Sequence, residues 1–413
     1  MHAAARAALA AVAEPPSSID FDDPAFRADP YPLYAHLRRE RPVSLQRGLR
    51  GQAHLVARYD DVMTVLKDQR FANDQRNAGR PLGWVETRLM LDLTSTMVMR
   101  DGADHRRLRS LAHQAFTPAR VQALAGRIEQ LVAELLDRAE PSGRVDLIAD
   151  LALPLPITVI CELIGVRDRD RPAFRRWMCG LVDLDQASLR NLARVIPRMF
   201  ALFRFVRGLI EACRREPGED LVSALISAEE SGQRLGPREL IATVFLLLLA
   251  GHETTVNLIG NGVLALLEHP EQLERLRAQP ELIDSAVEEL LRFTNPVQMP
   301  APRYVTQDLE LAGVALERGS AVMPILASAN RDEAKFDRPD DLDLGRSPNR
   351  HVAFGFGLHY CVGAPLARME AKAAILALVK RFPQASLAVP RDQLRWRRSR
   401  SLRGLVSLPL RLR

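Results

Sequence analysis

Lysine is almost absent: of 57 basic residues in a chain of 413, only Lys67, Lys335, Lys372 and Lys380 are lysines. With alanine abundant, this bias toward arginine reads as a GC-rich coding habit and not as a function. Cysteine is scarce as well, and four thiols in this length exclude a disulfide scaffold. Long apolar runs are missing: the best, 241–251, is eleven residues long and includes Thr243, against the ~18 that a membrane span needs. It reads as a buried core helix, and no membrane anchor is expected. The N-terminus lacks the charged and strongly apolar blocks of a signal peptide, so residues 1–19 are expected to form a flexible segment, and the chain to be cytoplasmic with reduced thiols.

The positive charge is local. The formal total is +6, but 391–413 holds eight arginines against one aspartate, so that segment carries +7 and the rest of the chain −1. A nucleic-acid-binding body is therefore not indicated. The length exceeds the usual ~100–200 residues of one domain, yet no repeat, low-complexity linker or break in composition divides the chain. A single large, mainly α domain over 20–413 is expected.

Helical periodicity dominates. It covers 104–136, where Thr117-Pro118 supplies a cap and a first-turn proline that split the segment, and then 149–163, 172–184, 191–215, 221–230, 237–267, 270–278 and 280–293. From Gly51 the pattern suggests a strand and then a helix. After Phe293 the texture turns to short alternating runs broken by proline and glycine, which predicts small β-sheets. A glycine-rich segment follows, then a helix over 363–380 and a strand-like tail.

Three constellations carry chemistry. Cys161, Cys179 and Cys213 read as small buried hydrophobes. Cys361, in HVAFGFGLHYCVGAPLAR, does not, because Gly355, Gly357 and Gly363 strip side chains from the backbone around its thiol. That lets a flat, bulky ligand approach and leaves amides free to hydrogen-bond a thiolate. No second cysteine stands close enough for a zinc ribbon or an iron–sulfur cluster. The second constellation is AGHETT, 250–255, within the long helix, where Gly251 and two threonines are expected to kink or bulge the helix. Glu253 beside Thr254 reads as a proton-delivery pair, and Val256 closes the HExxH zinc reading. The third is EELLRF, in which Glu289 and Arg292 share a helix face, a weak pair unless buried.

Together, in this order, these segments resemble the cytochrome P450 family. FGFGLHYCVG is similar to its haem-binding loop FGxGxHxCxG, AGHETT to its oxygen-activating helix motif, and EELLR to its ExxR helix; the resemblance runs from about Asp20 to the C-terminus. It implies the cytochrome P450 fold, a single large helical domain with small accessory β-sheets, and a heme b cofactor (iron protoporphyrin IX). Cys361 would be the axial thiolate and sole metal ligand, and Glu253 and Thr254 the catalytic acid and alcohol. Ala250 and Gly251 of the helix, with Phe354, Gly355 and Gly363 of the loop, would touch the haem. His105, Arg109, Arg303 and His359 would meet its propionates.

One departure stands out: where the family has DPPEH, this chain has DGADH, 101–105, so two turn prolines are missing and a looser loop is expected. The resemblance further implies insertion of one oxygen atom from O2 into a hydrophobic small molecule, by hydroxylation or epoxidation. No flavin or nicotinamide fingerprint is present, so electrons would come from a separate ferredoxin-type donor and its reductase, docking beside Arg106, Arg107 and Arg368. Competing readings are a peroxygenase or haem-thiolate isomerase, and a haem-based sensor. Pocket walls are expected from 73–94 (Trp84 and Met90 among them), 181–200, 246–250, 297–299 and 401–402.

Overall fold

The computed structural model describes residues 19–48, 51–79, 96–179, 189–230 and 235–413. Of the flexible segment expected over 1–19, residues 1–18 lie outside them, as do Trp84 and Met90.

The spine is the helix Pro237–Glu268, 32 residues long and so about 48 Å at 1.5 Å per residue. Its start is fixed locally: Pro237 takes the first helical position, and Gly236 N donates to the Glu239 carboxylate at 2.9 Å, closing the first turn. By length and composition this helix could cross a membrane, but residues 255–266 are buried without interruption in the protein interior. It packs on Pro154–Leu163, Ile283–Thr294 and Ala364–Arg381. The approach is close: a Cβ on Gly260 would sit 2.5 Å from Ile148 Cδ1, so no other residue fits there without displacing that side chain. The helix shows no bulge at Gly251, and the segment continues as α-helix. Thr254 Oγ1 does donate back to Ala250 O at 3.1 Å, but the ladder survives, and Gly251 lies close against Ile160.

The remaining helices follow their start and stop signals. Leu221–Glu230 and Pro270–Ala278 coincide with the expected spans, and Thr117 caps Pro118–Ala123 by accepting from Arg120 N at 3.3 Å. Gly102–Ala115 and Ala125–Ala139 flank that short helix.

Strands from both ends of the chain meet in one five-stranded sheet. Val43–Gly48 pairs antiparallel with Gly51–Val56, which runs parallel to Ala321–Pro324; that strand pairs with Arg303–Val305, and Phe71–Ala72 closes the edge. This sheet carries Arg303 to the wall of the main cavity.

Glu289 and Arg292 are fully buried and joined by two bonds of 2.8 Å each. The remaining guanidinium donors reach Asn330 O, Pro339 O and Asp341 O, while Arg346 and Asn349 donate to Glu289. Every charge is thus answered, which is the condition under which a buried pair is tolerated. The pair ties its helix to 337–349, the stretch leading into the glycine-rich loop.

Candidate functional site

The glycine-rich loop is shaped by backbone. Gly355 and Gly357 both sit at φ +71°, which side chains disfavour, and Cys361 N donates to Phe354 O at 3.0 Å to close the turn. The chain then enters the helix Ala364–Arg381, so the Cys361 sulfur lies at a helix start, where amides point outward. Burial pushes the Cys361 thiol up. The amides of Gly363 and Ala364 and the guanidinium groups of Arg109 and Arg368 pull it down. The sulfur opens onto a cavity while protein encloses its other sides.

That cavity holds about 1510 Å³ of empty space, part of it continuous with solvent. Helix residues Leu246, Leu247, Ala250, Gly251, Thr254, Thr255 and Leu258 form one wall, and Phe354, Gly355, His359, Cys361 and Gly363 another. Val297, Pro300 and Ala301 complete an apolar lining. Of the expected walls, Val297 is present, but Met299 packs instead into the cluster of Phe26, Tyr34 and Leu55.

At one edge of this apolar space stand four basic side chains, His105, Arg109, Arg303 and His359. The rings of His105 and His359 lie 4.0 Å apart. Both ring nitrogens of buried His105 and Nε of buried Arg303 have no hydrogen-bond partner among the described residues. Burial pushes His105 down to about 4 and Arg303 to about 10, and the neighbouring His359 and Arg109 push His105 in the same direction. Orphaned buried donors on a basic rim are costly unless an anion meets them. A flat apolar ligand carrying carboxylates beside a free thiol is what this donor set fits, and haem with its two propionates is such a ligand.

Two residues missed at the sequence level organise the rim. Asp101 accepts from Asn73 N, Asp74 N and Asn77 Nδ2 at 3.0, 2.8 and 2.9 Å. Burial would raise its pKa, but these bonds and His359 outweigh it and hold Asp101 well below the carboxylate range. Asn73 Nδ2, which can only donate, meets His359 Nδ1 at 3.2 Å, so the proton on Nε2 faces Asp101 at 3.9 Å. Asp101 therefore ties the start of the helix Gly102–Ala115 to the 73–77 loop, although the two turn prolines are missing.

Glu253 and Thr254 part company. Thr254 lines the main cavity, whereas Glu253, about 100° further round the helix, lines a second cavity with Asn257, Leu402 and the 392–399 segment. Leu402, expected in the substrate wall, thus belongs to that second cavity. Two of the cations expected to face an electron donor are also already engaged: Arg107 pairs with Glu239 at 2.6 Å, and Arg368 with Glu288 at 2.6 Å. Arg106 stays exposed, and on the glycine-rich loop Phe356, Leu358 and Tyr360 are exposed too.

Comparison with known proteins shows the family of the chain. The family model described as Cytochrome P450 matches residues 38–399. The chain is 43% identical over 394 residues to the polyketide biosynthesis cytochrome P450 PksS of Bacillus subtilis (strain 168), covering 94% of this chain and 96% of that one. To the 6-deoxyerythronolide B hydroxylase of Saccharopolyspora erythraea it is 39% identical over 402 residues, covering 95% and 98%. The solved structure of PksS superposes with a TM-score of 0.89 at 41% identity, over 95% of this chain and 99% of that one.

Proposed function

Because this chain belongs to the cytochrome P450 family it is an oxidoreductase of the haem b monooxygenase class, and we propose that Cys361 is its axial thiolate and sole metal ligand. The observation that carries this reading is the free Cys361 sulfur opening into an apolar cavity at whose rim both ring nitrogens of His105 and Nε of Arg303 have no partner among the described residues. His105, Arg109, Arg303 and His359 hold the propionates. Ala250, Gly251, Phe354, Gly355 and Gly363 give the ring its walls. Residues 20–413 act as one domain.

When bound, haem supplies the activation of O2 that transfers one oxygen atom to the substrate. The chain supplies the surroundings. Amides of Gly363 and Ala364, with Arg109 and Arg368, carry the negative charge of the Cys361 sulfur. Thr254 Oγ1, which donates to Ala250 O in this state, turns its hydroxyl into the cavity to hold a hydrogen bond there, and Glu253 resupplies the proton. Leu246, Leu247, Ile160 and Val297 exclude water from the reacting atoms.

The substrate is a bulky hydrophobic secondary metabolite, and a polyketide-type lactone fits best: the lining is aliphatic, and the similar proteins PksS and the hydroxylase are named for polyketide biosynthesis and for 6-deoxyerythronolide B. The electron donor is a separate, acidic ferredoxin that docks over Phe356, Leu358 and Tyr360, steered by Arg106 and Lys67. The protein works in the cytoplasm. Thr254 on the cavity wall favours O2 activation over the peroxygenase, isomerase and sensor readings.

The test is a panel of macrolactones, fatty acids and steroids screened for displacement of water from the ferric protein. Binders are then turned over with ferredoxin, its reductase, NAD(P)H and isotopically labelled O2. A lactone product carrying one labelled oxygen supports the reading. Binding confined to fatty acids or steroids overturns the substrate class, and turnover with peroxide but not with O2 overturns the mechanism.

A further inference from the structure

The helix Ile283–Thr294 turns Glu289 into the core and the preceding Glu288, about 100° round, toward the helix Ala364–Arg381. There Arg368 donates Nε to Glu288 Oε1 at 2.6 Å and Nη2 to Glu288 Oε2 at 2.8 Å, a two-point fork. His351 joins the same carboxylate. Ala353 N donates to His351 Nδ1 at 3.2 Å, so the ring proton sits on Nε2 and is donated to Glu288 Oε2 at 3.0 Å. Burial would raise the Glu288 carboxyl, but Arg368 and His351 outweigh it and bring it down to about 2. One turn away Asp284 and Lys372 bridge the same two helices, so their contact does not depend on Glu288 alone.

The guanidinium held in this way bears on the loop. Its remaining nitrogen, Nη1, donates to Tyr360 Oη at 3.2 Å, and its carbon lies 4.5 Å from the centroid of the Phe354 ring. Tyr360, immediately before Cys361, is held at its other end by Arg109 Nη2, which donates to Tyr360 O at 2.6 Å. Phe354 O in turn accepts from Cys361 N. Arg368 thus touches both residues that shape the turn around the sulfur. Because Nε and Nη2 turn to Glu288 and Nη1 to Tyr360, the cation stands between the carboxylate and the loop, and its charge is the nearer one.

We propose that Glu288 is a positioning residue for electron entry: it holds the Arg368 guanidinium against Phe354 and Tyr360, and the cation fixed there sets the reduction potential of the haem iron. This rests on the reading of Cys361 as the axial thiolate. Uptake of one electron, with the ferredoxin-type donor oxidised by one, adds one negative charge to the site. A cation fixed behind the sulfur favours that reduced state, whereas the same cation on a long side chain free in water is screened. Glu288 touches neither Cys361 nor the cavity, and acts only through the arginine that it aims.

The test uses the haem-loaded enzyme and reads its reduction potential by spectroscopic titration, on samples whose CO-bound ferrous form shows the thiolate band. Arg368→Gln should lower the ferrous-to-ferric ratio at a fixed potential about tenfold, or about 59 mV for one electron. Arg368→Lys keeps the charge but not the fork, and should shift the potential nearly as far. In Glu288→Gln, whose amide cannot accept both N–H groups, the guanidinium is already released, so adding Arg368→Gln should change the ratio less than about twofold. A shift of the same size in both backgrounds, or a wild-type potential in Arg368→Lys, overturns the proposal. A purely structural pair would lower the melting temperature and leave the potential in place, and that result in Arg368→Gln overturns it as well. If Glu288→Gln does not take up haem, the two Arg368 variants still decide the matter. Absence of the thiolate band from the wild type would instead overturn the reading of Cys361, whereas unmoved potentials with the band intact overturn the role of Glu288 alone.

Discussion

His105 and His359 stack with ring centroids 4.0 Å apart at the rim of the main cavity, and neither nitrogen of His105 has a partner among the described residues. Arginine stands on either side, and burial with like charge keeps His105 neutral down to about 4. Such a cluster is stable as a set only when it receives negative charge.

His105→Ala and Arg303→Leu should therefore weaken haem retention while leaving the fold intact. Each removes a bond to a charged group, typically about 1.5–3 kcal/mol, or roughly ten- to a hundredfold in affinity. Haem transfer to an acceptor protein would measure it. Transfer at the wild-type rate in both variants would show that the propionates lie elsewhere.

His252 gives a pH signature that is independent of the cofactor. It is 1% exposed and donates Nδ1–H to Leu248 O at 3.1 Å, and its Nε2 has no hydrogen-bond partner among the described residues; burial pushes it down to about 4. Below about 6.5 the unfolded chain takes a proton that the folded chain refuses, so this stability is present above that pH and is lost as pH falls toward 4. The loss should be on the order of 3 kcal/mol. Urea unfolding of wild type and His252→Gln between pH 7 and about pH 4 should show a stability difference that changes with pH; parallel profiles would contradict the assignment.

Thr254→Ala examines the mechanism separately from the family. Among the described residues Thr254 hydrogen-bonds only to its own helix, so the variant should bind haem and substrate and accept electrons. Proton delivery contributes roughly 10²–10⁴-fold in such steps, so NAD(P)H consumption should continue while hydrogen peroxide rises and product falls. Product per electron pair equal to wild type would make the motif structural, or put a substrate hydroxyl in its place.

What the sequence made legible was whatever is decided locally. Pro237, Pro270 and Thr117-Pro118 are start signals that act within one turn, and those helices begin where expected. The loop around Cys361 was equally readable, because positive φ at Gly355 and Gly357 demands glycine. Harder to see was anything that depends on which face meets what. One residue turns a helix by about 100°, so Glu253 and Thr254 separate into two cavities although they are adjacent in the chain. Arg107 looked available for a partner until the fold brought Glu239 to it, 132 positions along the chain. Asp101 opened the DGADH segment, but its role was not readable there, since it is set by three donors of the 73–77 loop.

The measurement closest to the central claim is the CO-bound ferrous spectrum of Cys361→Ser. Cys161 and Cys213 are buried, with thiols pushed up to about 12 and about 11, and neither borders the main cavity. A serine hydroxyl is neither soft nor ionised at neutral pH. The thiolate signature should be present in wild type and absent in the variant; its persistence in Cys361→Ser would contradict the assignment of Cys361 as the haem ligand.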